Sequence, residues 1–497
     1  MKIISRNREK QILESILWSK TSELVAVYGR RRVGKTYLVR NFFEPSENVI
    51  YFELTGQKQE SGEYASLKYQ LANFKYQFER AFSSEIPQPT SWQHAFSILR
   101  NQTERLKDST SKLVLFFDEL PWLCSPRSGF FESLDQAWNT TFERQQNVKV
   151  IVCGSAASWM LKKLIHAKAG FSRRITHKIR LSSFSLMETK EYLLYRGFDL
   201  ALMSVAEVYM MLGGIPYYLN FLSPHKSIYQ NIEDECFDNN GRLADEYDTV
   251  FNSLFKNSEN HKKVVEFIAS KHKGVLLNQL SKKFSSIKGG SLSRILDNLV
   301  ASNFIKKVPP LFNEAKGTVY RLVDEFVIFH LKWIKSAPKP IFDSSNTLYF
   351  QNKAQSNSFK SWKGFAFERL CLKHEYQIRQ SLGIHKILSV PSMVYFYDNQ
   401  GKRSSQIDLL FDRADNVISI CEMKFSETEY ELTKKDMNSL IRKKEDLSRY
   451  LKDRKKAQKD IHLCYVTTNG VSLNKYFHQL QPSIIILKDL FQINGYN

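Results

Sequence analysis

The chain has 497 residues, 42% hydrophobic and 25% charged, the balance of a globular protein rather than a disordered or fibrous one. That length exceeds one hydrophobic core, so about two to four domains are expected. Lys and Arg number 72 against 51 Asp and Glu, a net charge of +21. This balance favours an anionic partner, nucleic acid first and DNA above RNA, with a solvated Lys-rich surface as the plainer alternative.

Met1–Arg6 carries no apolar run, so no secretory leader is expected, and no apolar stretch is long enough to span a bilayer. Cys124, Cys153, Cys236, Cys371, Cys421 and Cys464 are scattered singly, which fits neither a disulfide framework nor a zinc site. A cytoplasmic protein with reduced thiols is expected.

In chain order, residues 23–28, 49–54, 112–117, 148–153 and 177–181 are short Val/Ile/Phe-rich runs separated by amphipathic segments. They predict buried parallel strands in βα units, making residues 1–184 an α/β core. Residues 185–255 predict a helical extension, broken at Gly213-Gly214-Ile215-Pro216. Residues 256–335 predict three short helices and a strand, the pattern of a winged helix. In the third helix Leu292, Ile295, Leu296, Leu299 and Val300 share a face. Residues 336–362 are polar, with little periodicity, and predict a linker. Residues 363–497 mix helix and strand and predict a separate α/β unit.

Gly29-Arg30-Arg31-Arg32-Val33-Gly34-Lys35-Thr36 satisfies G-x4-G-K-[ST] between a strand and a helix opened by Tyr37. Such a loop turns backbone N–H groups toward phosphates, with Lys35 reaching the β and γ oxygens and Thr36 a Mg²⁺ ion. ATP and Mg²⁺ are therefore the expected ligands. The strand at 113–117 ends in Asp118-Glu119, placing Asp118 to ligand Mg²⁺ and Glu119 to activate water. Ser155, after the next strand, is positioned to sense the γ-phosphate. Arg173 and Arg174 stand where an arginine finger acts, Arg174 being the candidate, or they form a surface basic pair.

GRRRVGKT, FFDELPWL, GSAASWM, FSRRIT and GGIPYYL together resemble the archaeal-type ATPases of the STAND branch of AAA+-like NTPases. The resemblance spans nearly the whole chain, because these proteins also carry a winged helix and a nuclease-like C-terminal domain. It implies that Gly214 and Pro216 lie near the nucleotide and link its state to the winged helix. Without it, the element is a helix breaker. The resemblance leaves a protein trigger and self-association open as partners.

Beyond the linker, Glu368 sits in a helical pattern, Asp408 precedes the strand-like Leu409-Leu410-Phe411, and Glu422 and Lys424 end the next strand. Residues 413–416 read as the turn of a hairpin, and alternation puts Glu422 and Lys424 on one face. Two carboxylates and a lysine are what a Mg²⁺-dependent phosphodiesterase needs. The pattern resembles the PD-(D/E)xK, restriction-endonuclease-like core, with Ile407-Asp408 in place of Pro-Asp and Glu368 as the extra helical acid. Asp408, Glu422 and Lys424 are thus candidate catalytic residues, and Glu368, Asp408 and Glu422 candidate metal ligands; a fold that only binds is the alternative. Arg442, Lys443, Lys444 and Arg449 line a late helix able to follow a phosphate backbone or simply to face solvent. Ser293, Arg294, Asn298 and Lys307 are candidate DNA contacts, unless the winged helix serves as an internal lever.

Overall fold

A computed structural model of the chain describes residues 2–57, 64–155, 157–165, 170–255, 257–308, 311, 318–342, 348–397 and 403–492. Five parallel strands form the first sheet: β1 (Glu23–Gly29), β2 (Val49–Thr55), β3 (Lys112–Asp118), β4 (Val148–Gly154) and β5 (His177–Leu181). Their order is β2-β3-β4-β1-β5. The central strands are apolar on both faces because helices cover both. From β1, Val25 and Val27 enter one core, while Leu24 and Ala26 enter another. The second core is filled by the helices Leu67–Phe82, Trp92–Arg105 and Phe130–Thr140, with Phe74, Phe96 and Trp138 buried.

Behind the other face lie Asn7–Leu17, Lys35–Phe42 and the helices of the extension, including Leu186–Tyr195, Leu202–Leu212 and Ile228–Cys236. The helix Leu202–Leu212 stops at Gly213, whose left-handed backbone caps it. Pro216 then opens the short helix Pro216–Leu219, where its missing N–H costs nothing.

The next unit has the helices Ser258–Ala269, Leu277–Lys283 and Gly289–Ala301. Three short strands, β6 (Val275–Leu276), β7 (Ile305–Val308) and β8 (Val319–Leu322), pair antiparallel in the order β6-β8-β7. Its core also takes in Tyr247, Val250 and Phe251 from the helix Glu246–Leu254. The unit therefore begins before the expected boundary at residue 256.

The anticipated linker at 336–362 needs correcting. Residues 343–347 lie outside the described residues, but Tyr349–Ala354 and Asn357–Lys373 are helical, with Phe350, Phe359 and Trp362 buried. These side chains join the same apolar cluster as Val25 of β1 and Met211 of the extension. The C-terminal part is consequently welded to the rest rather than tethered to it.

The last sheet contains β9 (Ser389–Tyr397), β10 (Arg403–Arg413), β11 (Val417–Lys424), β12 (Asp460–Thr467) and β13 (Ser483–Ile486), in the order β13-β12-β11-β10-β9. β9, β10 and β11 run antiparallel to their neighbours, whereas β11, β12 and β13 are parallel. Asn357–Lys373 packs on one face with Leu409, Phe411, Cys421 and Cys464. Lys434–Asp453 packs on the other through Leu447 and Leu451 against Leu410, Ile418 and Ile420. All six cysteines are free thiols, and no helix among the described residues is long and apolar enough to cross a membrane.

Candidate functional site

β1 delivers the chain into the Gly-rich loop, and Lys35–Phe42 carries it away. Gly29 lies at φ 152° beside β5, where a Cβ would sit 2.1 Å from the Leu181 carbonyl oxygen. Gly34, at φ 89°, caps the helix in a left-handed conformation that a larger residue resists. The Lys35 side chain is buried and donates to the carbonyls of Gly29 (3.2 Å) and Arg30 (3.0 Å). Burial holds its ammonium below the usual lysine range, against the pull of Cys153, Glu119 and Asp118 and with the push of Arg31. Arg31 Nε is itself buried with no hydrogen-bond partner among the described residues. Two neighbouring cations and an orphaned donor at a helix N-terminus form a concavity suited to a polyanion.

The ends of β3 and β4 close the other side. Thr36 Oγ1 donates to Asp118 Oδ2 at 2.8 Å, and Asp118 Oδ1 accepts the Glu119 N–H at 2.9 Å. Burial and the Glu119 carboxylate push the Asp118 carboxyl upward in pKa, which the Thr36 hydrogen bond opposes. Glu119 adopts φ 47°, a left-handed conformation rare for a side chain of its size. It is held there by Ser155, whose Oγ donates to Oε1 at 2.6 Å and whose N–H donates to Oε2 at 3.3 Å. The hydroxyl and carboxylate oxygens of Thr36 and Asp118 are the hard donor set that fits Mg²⁺.

The other expected nucleotide-site residues are placed less simply. Arg30 is buried: its Nε donates to Asp324 at 2.5 Å, its Nη1 to the Arg31 carbonyl at 2.9 Å, and its guanidinium lies over the Tyr218 and Phe304 rings. Arg32 forks onto Glu246 at 2.9 and 3.1 Å and covers the Tyr217 ring. Two of the loop's three arginine side chains thus reach helices beyond the ATPase core, Glu246–Leu254 and, at its N-cap, Glu325–Phe329. Val33 is buried, its carbonyl accepting from Arg6 Nη2 at 3.2 Å, and the Tyr37 hydroxyl donates to the Lys2 carbonyl. Arg6 also donates to the Ser182 carbonyl at 2.7 Å; the sequence reading missed it because nothing marks a lone N-terminal arginine. Gly214 accepts the Phe184 N–H at 2.8 Å, and Pro216 precedes the Tyr217 and Tyr218 that Arg32 and Arg30 touch. Arg174 is engaged by Asp135 of the helix Phe130–Thr140, and Arg173 is exposed. Ala156, within the GSAASWM motif, lies outside the described residues.

In the C-terminal sheet the expected acids form two clusters rather than one. Leu409 pairs with Cys421, but a register shift between Ile407 and Leu410 interrupts β10. Ile407 and Leu410 consequently enter the same apolar cluster, and Asp408 sits at the irregularity. Asp408 accepts from Gln406 and lies 3.7 Å from Arg321 Nη2, which also donates to Glu368 Oε1 at 3.1 Å. Burial and Asp408 push the Glu368 carboxyl up to about 7, with Arg321 and Arg369 opposing. Glu422 instead pairs with Lys443 of the helix Lys434–Asp453, and Lys424 with Asp436 at 3.2 Å. The expected convergence of Asp408, Glu422 and Lys424 on one point is absent. Among the described residues no group of three His, Cys, Asp or Glu is arranged to hold a metal ion. As arranged, these side chains do not fit a divalent cation, and Arg321, from β8, was invisible to a search for acids near one another in sequence.

Of the candidate nucleic-acid contacts, Ser293, Arg294 and Lys307 are exposed. Asn298 is half-buried and bonded to His261 at 3.4 Å. The helix Gly289–Ala301 that carries three of them packs against the short helix Ala157–Met160 of the ATPase core. On Lys434–Asp453, Arg442, Lys444 and Arg449 face solvent, whereas Lys443 is drawn inward to Glu422.

Residues 4–222 match an ATPase domain found predominantly in Archaea. An uncharacterised protein of Methanocaldococcus jannaschii is 24% identical over 448 residues, covering 88% of this chain and 91% of that one. Among solved structures, the Walker-type ATPase of Pyrococcus abyssi is similar at a TM-score of 0.49 and 19% identity. It covers 66% of this chain and 96% of its own. The ORC2 protein of Aeropyrum pernix, solved with ADPNP and ADP, is similar at 0.42 and 14%, covering 71% and 96%.

Proposed function

We infer that the chain is an ATP-hydrolysing enzyme built on the archaeal-type ATPase domain matched at residues 4–222. We propose that it is a STAND-type switch in which the state of the P-loop governs a nucleic-acid-acting C-terminal domain of nuclease-like fold. The observation that carries this reading is the burial of Arg30, a P-loop side chain, against Asp324, which caps the helix Glu325–Phe329 just after the strand β8. A loop that only bound phosphate would have no reason to anchor a residue nearly three hundred positions away in the next unit.

At the ATPase site, Lys35 and Arg31 neutralise the triphosphate, and the loop N–H groups fix it. Thr36 and Asp118 would hold Mg²⁺, which when bound draws charge from the β and γ oxygens. Glu119, pinned by Ser155, orients a water and accepts its proton. The Ser155 hydroxyl would exchange its bond to Glu119 for one to the γ-phosphate, so that it both senses the nucleotide and frees the base. Gly214 and Pro216 pass this change to Tyr217 and Tyr218, against which Arg32 and Arg30 pack. The three helices and the β6-β8-β7 sheet act as the winged helix.

The mixed β9–β13 sheet between two helices supports the restriction-endonuclease-like reading, and the charge of +21 supports nucleic acid as its target. A second reading, a DNA-binding regulator that does not cut, is favoured by one observation: Glu368, Asp408 and Glu422 all face cations of the chain's own. Incubating the purified protein with plasmid, linear DNA and RNA, while varying Mg²⁺, Mn²⁺ and ATP, separates the two. Cleavage lost in Asp408→Ala and Lys424→Ala, with ATP hydrolysis intact, establishes the effector; retarded but uncut nucleic acid establishes the regulator.

A further inference from the structure

The strand β8 belongs to the three-helix unit, yet Arg321 leaves it and enters the C-terminal sheet. Its side chain is 9% exposed. Nη2 lies 3.1 Å from Glu368 Oε1 and 3.7 Å from Asp408 Oδ1, and Nη1 rests against Met393 of β9. One guanidinium thus stands between the two carboxylates, taking the place a cation bridging them would take. A divalent ion would have to displace a nearly buried, fixed positive charge, and displacement would leave that charge unpaired.

The surroundings hold Arg321 there. Its backbone pairs with Lys306 of β7, and Val323, two residues on, donates its N–H to the Phe304 carbonyl. Asp324, the next residue, is the partner of Arg30, and Glu325 takes both of its bonds from Lys373. The units also touch beside the site: the Tyr395 hydroxyl of β9 donates to the Lys273 carbonyl, and His272 stacks on Phe365 at 4.6 Å. The arginine is therefore fixed by its strand and not free to swing.

We infer that Arg321 is a built-in counter-ion that keeps divalent cations out of the Glu368–Asp408 pair, so that the C-terminal acids take up metal only when β8 withdraws. This rests on the reading of those acids as the nuclease-like pair. It accounts for the mismatch between an acid-bearing sheet and the lack of a metal-ready cluster among the described residues. One guanidinium nitrogen, Nη2, faces both acids, while Nη1 is held against Met393.

The test is Mn²⁺ binding to the nucleotide-free full chain, read from the paramagnetic resonance signal of the free ion. Arg321→Gln should gain one saturable site, at least about tenfold tighter than any in the wild type, a difference of about 1.4 kcal/mol. Adding Glu368→Gln or Asp408→Asn should remove that gain. If Arg321→Gln loses its cooperative melt, Arg321→Met, which keeps chain length against Met393, carries the same comparison. A folded variant that binds no more Mn²⁺ than wild type overturns the inference, as does a gain that survives Glu368→Gln. A tight wild-type site abolished by Glu368→Gln overturns it without any change at Arg321. Nucleic-acid cleavage is scored separately. A Mn²⁺ gain without cleavage upholds the counter-ion and rejects the nuclease, whereas wild-type cleavage without a gain does the reverse.

Discussion

Arg30, the residue after the first glycine of the phosphate loop, donates through Nε to Asp324 at 2.5 Å, both side chains being almost wholly buried. Removing one partner strands the other charge in a low-dielectric interior. Asp324→Ala should lower stability by about 3–5 kcal/mol, part of it from loss of the bond Asp324 accepts from the Val327 N–H. Denaturant unfolding measures the change. Replacing both partners with Arg30→Met and Asp324→Leu should recover much of the loss. A double variant as unstable as the sum of the singles would show that the two residues act independently.

Lys35 is the buried lysine of the phosphate loop, held by the Gly29 and Arg30 carbonyls, so Lys35→Ala should abolish ATP binding and turnover. Glu119→Gln keeps the shape and the Ser155 contact but cannot take a proton. It should bind nucleotide at near wild-type affinity while turnover falls roughly 10²–10⁴-fold. Equilibrium binding of a fluorescent ATP analogue beside steady-state phosphate release distinguishes the two. Wild-type turnover in Lys35→Ala would mean that ATP is hydrolysed elsewhere.

His374 is fully buried where Asn357–Lys373 meets the extension. Its Nε2 accepts the Leu186 N–H at 3.1 Å, and its Nδ1 donates to the Leu370 carbonyl at 2.8 Å, which fixes a neutral ring. Burial depresses its pKa to about 4, opposed by the Leu370 bond. Because the folded value lies below the unfolded one of about 6.5, the stability it confers is complete above pH 6.5. That stability is lost as pH falls from there toward 4, a drop on the order of 3 kcal/mol. His374→Gln should flatten this part of the stability–pH curve between pH 4 and 6.5, as followed by thermal melts. An unchanged slope would remove His374 as its source.

The basic surface predicts nucleic-acid binding that is largely sequence-independent, with a dissociation constant on the order of 10⁻⁴–10⁻⁶ M at physiological salt. Affinity should fall steeply as salt rises, because each neutralised phosphate releases counterions. Fluorescence anisotropy across a salt series reads the slope. A flat slope, or no binding at low salt, would count against a nucleic-acid partner.

The central strands β1, β3 and β4 could be read from sequence because each is a short, mostly apolar run flanked by polar turns, and the edge strands β2 and β5 because their buried residues alternate with half-buried or exposed ones. The helix Asn357–Lys373 could not. Phe359, Trp362, Ala366 and Leu370 lie on one buried stripe, but Lys363 is buried beside them and Phe365 is exposed, which blurs the pattern, and the polar residues of the first turns imitate a linker. At the phosphate loop the spacing announced Lys35, Thr36 and Asp118, because the backbone itself dictates that geometry. The destinations of Arg30 and Arg32 were hidden, since Asp324 and Glu246 are distant in sequence and carry no motif. The same holds for Arg321: three acids and a lysine could be found by pattern, but the register shift in β10 that divides them could not.

The apolar cluster running from β1 through Met211 to Phe359 and Trp362 bears on how such a protein can be inherited. A domain joined by a loose tether can be exchanged for another by recombination in the tether. Here a break anywhere between residues 349 and 373 would expose aromatic rings on both halves. The C-terminal part is not a cassette to be swapped beneath an unchanged ATPase; any replacement must bring its own helix, shaped to the same hollow.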